Sequence, residues 1–220
     1  MSFDFVFAMR IVPSVLEGLG NTILVAVLSF VFATALGFSW EMLRRSHWLM
    51  RPVTQFIIDA IRSTPVLIQI YFMFFVLPYY GVTFPALFTG VLGLSLYFSG
   101  YISEVFKAGI DAIPAGQTEA SQSLGLGWRD TVIFVIAPQM LRNIAAPLGA
   151  YAISILKSTP ILAVLAVPEM LGSAMDVASE TYRYAEPVFV AGILFLMMAV
   201  VAVSLVGYFE RLLGVSSPSH

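Results

Sequence analysis

The chain of 220 residues contains no cysteine. Disulfides, thiol nucleophiles and cysteine-ligated metals are therefore excluded. Its two histidines, His47 and His220, lie too far apart to give a metal-ligand spacing. Charge is scarce too. Only 11% of residues are Asp, Glu, Lys or Arg, against about 25% in an ordinary globular chain. The net charge of −2 offers no basic excess. That argues against a nucleic-acid partner, because phosphate binding needs clustered Lys and Arg. No Gly-x-x-x-x-Gly-Lys-Ser/Thr run occurs, so the chain lacks the loop that cradles phosphates for ATP hydrolysis.

Apolar residues are what is plentiful. They make up 59% of the chain, and the mean hydropathy is +0.91. Lipid is the solvent that such a surface suits. A helix crossing a hydrocarbon core of roughly 30 Å needs about 20 apolar residues. Five stretches qualify: Asn21–Trp40, Val53–Leu77, Pro85–Ser103, Asn143–Val167 and Pro187–Tyr208. None alternates with period two, so strands are excluded. The pattern predicts an all-α membrane protein with five transmembrane helices in one domain, residues 1–220. Residues 3–17 are too interrupted by Arg10, Pro13 and Glu17 to span. The start carries Asp4 and only one basic residue before the first apolar run. It does not read as a cleaved signal, and Met1 onward is expected to be retained.

The basic residues orient the spans. Arg44, Arg45, Arg51, Lys107, Arg129, Arg142 and Arg211 fall on one side, and Arg10 and Arg183 on the other. Basic loops stay cytoplasmic. The expected topology has the N-terminus outside and the C-terminus in the cytoplasm.

Between the third and fourth spans lies Ile113–Pro138, IPAGQTEASQSLGLGWRDTVIFVIAP. It combines Pro114 and Gly116, the acid Glu119 with the small residues Ala120 and Ser121, a Gly125–Leu126–Gly127 break, and the closing Pro138. Small residues let a helix lie close against another protein. Gly125 and Gly127 permit the positive φ needed to turn between two short helices. The segment resembles the EAA loop of permease subunits of ABC importers, with Ser121 where that family usually has a second alanine. Four further runs resemble permeases for polar amino acids: Leu16-Glu17-Gly18 with Thr22, Arg62 to Gln69, Ser103 to Ile110, and Leu156 to Pro160.

The resemblance implies a type I ABC importer permease fold, with residues 107–138 as the cytoplasmic coupling loop. It implies that Pro114, Gly116, Glu119, Ala120, Ser121, Gly125 and Pro138 contact an ATP-binding ABC subunit. That partner would use ATP and Mg; no cofactor is expected on this chain. A second permease subunit, the same or a sibling, and an extracytoplasmic solute-binding protein are the other implied partners. The implied setting is the bacterial cytoplasmic (inner) membrane. The implied cargo is a polar amino acid, of the kind carried by histidine, glutamine or arginine systems, or a related zwitterion such as ectoine.

Lys157 is the sharpest single residue, because it falls mid-way along the fourth predicted span. A lysine there costs about 2.5–3.5 kcal/mol on insertion scales and usually faces protein or a water path. It could meet a substrate carboxylate, with Ser158 and Thr159 adding hydroxyls. It could equally pair with an acid on another helix. Arg62 and Glu104 could pair between the second and third helices, with Asp59 an equal partner for Arg62 three residues away. The aromatic run from Tyr71 to Tyr80 suits a membrane interface better than a solute path. A different class remains, an ion-gradient-driven secondary transporter or channel subunit. It wants an internal repeat or acids inside the spans, and neither is evident in the sequence.

Overall fold

The computed structural model describes residues 3–212. All regular structure among them is helical: α1 (Phe5–Leu16), α2 (Leu19–Ser46), α3 (Met50–Ser63), α4 (Val66–Tyr71), α5 (Ala86–Asp111), α6 (Ala115–Ser123), α7 (Trp128–Asp130), α8 (Ala137–Ser158), α9 (Met170–Thr181) and α10 (Ala185–Leu212). Four stretches are long and apolar enough to cross a membrane, and α3 with the α4 segment makes a fifth if the bent pair counts as one.

The centre is the α2–α5 pair. One stripe of α2 is buried at helical spacing: Thr22, Val25, Ser29, Ala33, Gly37, Glu41 and Arg44. Small side chains let two helices approach closely in a membrane. At Gly37 a Cβ would stand 2.8 Å from the Ile102 side chain, so only glycine fits. Ser95 donates to the Ser29 carbonyl at 3.4 Å, and Trp40 to the Ser99 hydroxyl at 3.1 Å. α8 closes on the other face of α5, where Gly109 abuts Ile144. α10 exposes most of its apolar side chains, as a lipid-facing helix should.

The second predicted span is not one rod. The axis bends by 98° between Met50–Ser63 and Val66–Tyr80. The reason lies in Pro65, which disfavours the helical region for the residue before it. Thr64 is extended, at φ −95° and ψ 126°. Gln69 donates to the freed carbonyls of Ile61 and Thr64, at 2.7 and 3.0 Å. Beyond the elbow, Leu77–Tyr80 tighten into a 3-10 turn closed by Gly81 at φ 80°.

Two segments outside the five spans are also helical. α1 buries Ala8, Ile11 and Val15 against Met170, Ala174, Val190 and Leu194. α9 lies in the acidic stretch after the fourth span. Glu169 caps it, its carboxylate accepting from the Leu171 and Gly172 amides at 3.0 and 2.7 Å.

Candidate functional site

The loop between α5 and α8 is bare. Every residue from Pro114 to Asp130 is exposed except Ser121. Pro114 is extended, at ψ 134°, and starts α6. Glu119 falls in the middle of α6, exposed and with no cation in reach among the described residues. Ala120 is exposed beside it, and Gly116 has no neighbour that a Cβ would meet. Ser121 turns inward and donates to the Gln117 carbonyl at 2.7 Å. The end of α6 is built by Gly125, at φ +76°. Its amide donates to Gln122 at 2.9 Å and that of Leu126 to Ser121 at 3.1 Å, the two bonds of a Schellman motif. Gly127, expected to share the positive φ, instead has φ −67° and starts α7. Pro138 has no amide for the carbonyl four residues back, and the turn before it, Thr131–Ile136, widens to a π-helix. The second short helix therefore runs on into α8 rather than standing apart. Leu124 and Trp128 are 80% and 78% exposed at the tip. This bare tip is shaped to be covered by something.

Behind the loop the same end of the bundle is tied by ions. Arg44, whose side chain is only 4% exposed, donates to Glu41 at 2.7 Å, to Glu104 at 2.7 Å and to Gln55 at 2.7 Å. Arg45 bonds Glu41 and reaches Asp111 at 2.5 Å. Glu104 thus pairs with Arg44, with Lys107 at 4.0 Å, and not with Arg62. Arg62 lies 3.9 Å from Asp59.

A furrow of about 330 Å³ opens between α5 and α8, lined by Tyr101, Glu104, Ala108, Asn143, Pro147 and Tyr151 among others. Arg62 stacks over the Tyr101 ring at 5.1 Å, and Tyr101 donates to the Arg62 carbonyl at 3.2 Å. The Arg62 Nε is buried without a protein partner. Tyr97 and Tyr101 touch through their hydroxyls at 3.2 Å. The sequence held a signal for this group: Tyr97 and Tyr101 are one helical turn apart, and their level is that of Arg62. The aromatic run from Tyr71 is the denser pattern in the sequence. Its Tyr79 and Tyr80 are 89% and 77% exposed.

The three residues of the Lys157 group part company. Lys157 is exposed in the last turn of α8, not mid-helix, because Pro160 turns the chain into a 3-10 stretch, Thr159–Leu165. No acid lies within salt-bridge reach of it among the described residues. Ser158 is half-buried and Thr159 fully buried. Both hydroxyls donate to their own helix, to Ser154 and Leu156, at 2.9 Å each.

Residues 33–215 match the family described as binding-protein-dependent transport system inner membrane component. The chain belongs to that family. The probable amino-acid ABC transporter permease y4tG of Sinorhizobium fredii is 39% identical over 219 residues, covering 99% of this chain and 93% of the relative. The arginine transport system permease ArtQ of Bacillus subtilis is 29% identical, covering 91% and 93%. A solved amino acid ABC transporter with histidines superposes with TM-score 0.88 at 31% identity, covering 96% of this chain and 99% of that one. The methionine transporter MetNI, at 16% identity and TM-score 0.67, shares the fold. The chain is therefore a multi-pass membrane component of a transport system with the type I importer permease fold, as its motifs led one to expect.

Proposed function

We propose that this chain is the permease subunit of an ATP-driven, binding-protein-dependent importer for a polar amino acid. A related zwitterion such as ectoine is a narrower variant of the same reading. Relatives named for arginine, glutamine, cystine and octopine transport support the class. The permease pairs with a second copy or a sibling in the bacterial inner membrane, with the N-terminus outside. Two ATP-binding subunits dock on the α6–α7 loops and use ATP and Mg. A solute-binding protein delivers cargo to the opposite end. ATP-driven closure of the ATPase pair moves the loops as rigid bodies, and access to the path alternates.

One observation carries this reading. The loop has a defined internal geometry, yet its apolar tip is uncovered. Leu124 and Trp128 exposed in water would be costly, since burying such a side chain gains about 1.5–3 kcal/mol. A partner cleft supplies that burial, and Glu119 supplies a charge for a partner cation. On the path side, Lys157 is an exposed ammonium that no acid of this chain neutralises, suited to a substrate carboxylate. Ser158 adds only acceptor lone pairs there, and Thr159 supports it from within the core.

The test is co-purification with the ATP-binding subunit encoded alongside this chain, and crosslinking to it from Leu124→Cys on the cysteine-free background. A single thiol at Thr118→Cys fixes orientation. Labelling from the outer face alone, or a complex that forms without any crosslink, would sink the assignment.

A further inference from the structure

A run of polar contacts leaves the foot of the exposed loop and ends beside the tyrosine furrow. Asp111, the last residue of α5, accepts from Arg45 at 2.5 Å. Arg45 and Arg44 both donate to Glu41. Arg44 passes on to Gln55 of α3 at 2.7 Å, and Gln55 to Asp59 at 3.0 Å. Asp59 lies 3.9 Å from Arg62, which stands over Tyr101. The run joins α5 to α2 and α2 to α3, then follows α3 to its end.

Three features mark this as more than packing. First, its charges balance. Four acids (Glu41, Asp59, Glu104, Asp111) meet four cations (Arg44, Arg45, Arg62, Lys107). It needs no outside counter-ion to hold its geometry. Second, α2 and α5 already pack directly above it, with Gly37 against Ile102 and the Phe38 and Phe106 rings 5.2 Å apart. A buried ion pair is a poor source of stability beside apolar contacts of that kind, and its best-attested use is to fix one arrangement. Third, α3 packs through one stripe, with Ile58, Ile61 and Arg62 against Gly100 of α5, and presents most of its other residues outward. Only Thr54 and Ile58 of its residues are buried. It is a lever pinned by the Arg44–Gln55 bond and jointed at the 98° elbow.

We propose that this run is the linkage through which movement of the coupling loop reaches the α3–α4 elbow and the furrow. Arg45–Asp111 is its first joint and Arg44 its hub. These are positioning residues, since none needs to touch the solute. The proposal rests on the importer reading, and assembly with the ATPase is scored separately so that the two fail differently.

The elbow can be watched directly. Ser63 is exposed beside it, and the chain has no other thiol, so Ser63→Cys gives a single reporter. In the assembled permease–ATPase complex, labelling by a charged maleimide is timed without nucleotide and after trapping with ATP and vanadate. The expected rate change is at least about fivefold, the lower end of ordinary coupling factors. Arg45→Ala or Asp111→Ala should abolish that change while the complex still assembles and hydrolyses ATP. The side chains are 38% and 53% exposed, and Glu41 keeps Arg44, so folding is spared. Arg45→Lys keeps a cation between Glu41 and Asp111 and should retain the response, a conservative rescue that separates loss of the charge link from loss of the side chain. Gln55→Leu cuts the α2–α3 joint without altering charge and should abolish the response too. A full-sized response in Arg45→Ala, Asp111→Ala or Gln55→Leu, loss of the response in Arg45→Lys, or no response in the otherwise unaltered complex would overturn the linkage. Failure of the ATPase to assemble with the unaltered chain would instead overturn the importer reading.

Discussion

Arg44 and Arg183 each stand between two carboxylates, one at either end of the bundle. At the loop end, Arg44 joins Glu41 and Glu104 with side chains 4%, 1% and 30% exposed. At the opposite end, Arg183 joins Asp4 at 3.4 Å and Glu186 at 2.5 Å, with Arg183 and Asp4 32% and 44% exposed. Arg183 also covers the Phe7 ring at 4.2 Å. The inner cluster was taken out of water and must be complete. At the other end only Glu186 is buried, its side chain 5% exposed, while its cation and Asp4 stay in water, and the cluster tacks α1 to the start of α10. The same residue types thus do different work: a fixed joint behind the bare loop, and a softer fastening at the far end of the bundle.

The largest expected effect follows from breaking the inner cluster. Arg44→Met leaves Glu41 buried beside Arg45 alone and should cost about 3–5 kcal/mol, the usual penalty for orphaning a buried charge. Thermal unfolding of the purified chain would show it, and a loss under about 1 kcal/mol would mean that water reaches Glu41. A third cation sharpens the contrast. Lys157→Met should change stability by no more than about 0.5 kcal/mol, because nothing in this chain is left unpaired. Uptake should nonetheless fall sharply. Reduced assembly would instead place an acid partner on the second subunit, and normal uptake would leave the lysine without a role.

Smaller again is Arg183→Gln, whose melting shift should be well below that of Arg44→Met in parallel scans. Last comes pH. The Phe7 amide, aided by Arg183 and the Val6 amide, holds the Asp4 carboxyl below its ordinary 3.8. A lowered folded value favours the folded state above the ordinary value, and that contribution is lost as pH falls through the lowered one. The contribution of Asp4 should therefore be full, and flat with pH, near neutrality. In acid titrations, wild type and Asp4→Asn should converge below pH 3.8. A difference that grows as pH falls would contradict the sign.

The parts of this fold readable in advance were those carried by local composition. Span-length apolar runs gave the helices, and the Glu119 to Gly125 spacing gave α6 and its glycine stop. The elbow is written in the polar run Arg62-Ser63-Thr64 before Pro65, but the apolar residues on either side carry a span-length window across it and hide proline's local effect on Thr64. α9 is too short and too polar to register as a span, and its only local mark is the Glu169 cap. The Arg44 cluster was not legible at all. Glu41 and Arg44 are neighbours on one helix face, but Glu104 is 60 residues away. Its pairing depends on which faces of α2 and α5 meet. That register is set by the small-residue stripe through Gly37, a tertiary fact that no motif states.

If the bare loop seats an ATPase, damage to it must uncouple transport from hydrolysis. The direct measurement is uptake and ATP hydrolysis together, in reconstituted complexes carrying Glu119→Lys or Gly125→Val. Valine opposes the φ of +76° on which the end of α6 depends, and lysine reverses the charge that α6 presents. Both variants should insert and retain the fold, while solute-stimulated hydrolysis and uptake fall by at least about tenfold, within the usual range of coupling. Wild-type uptake with wild-type stimulation in both would contradict the assignment of this loop.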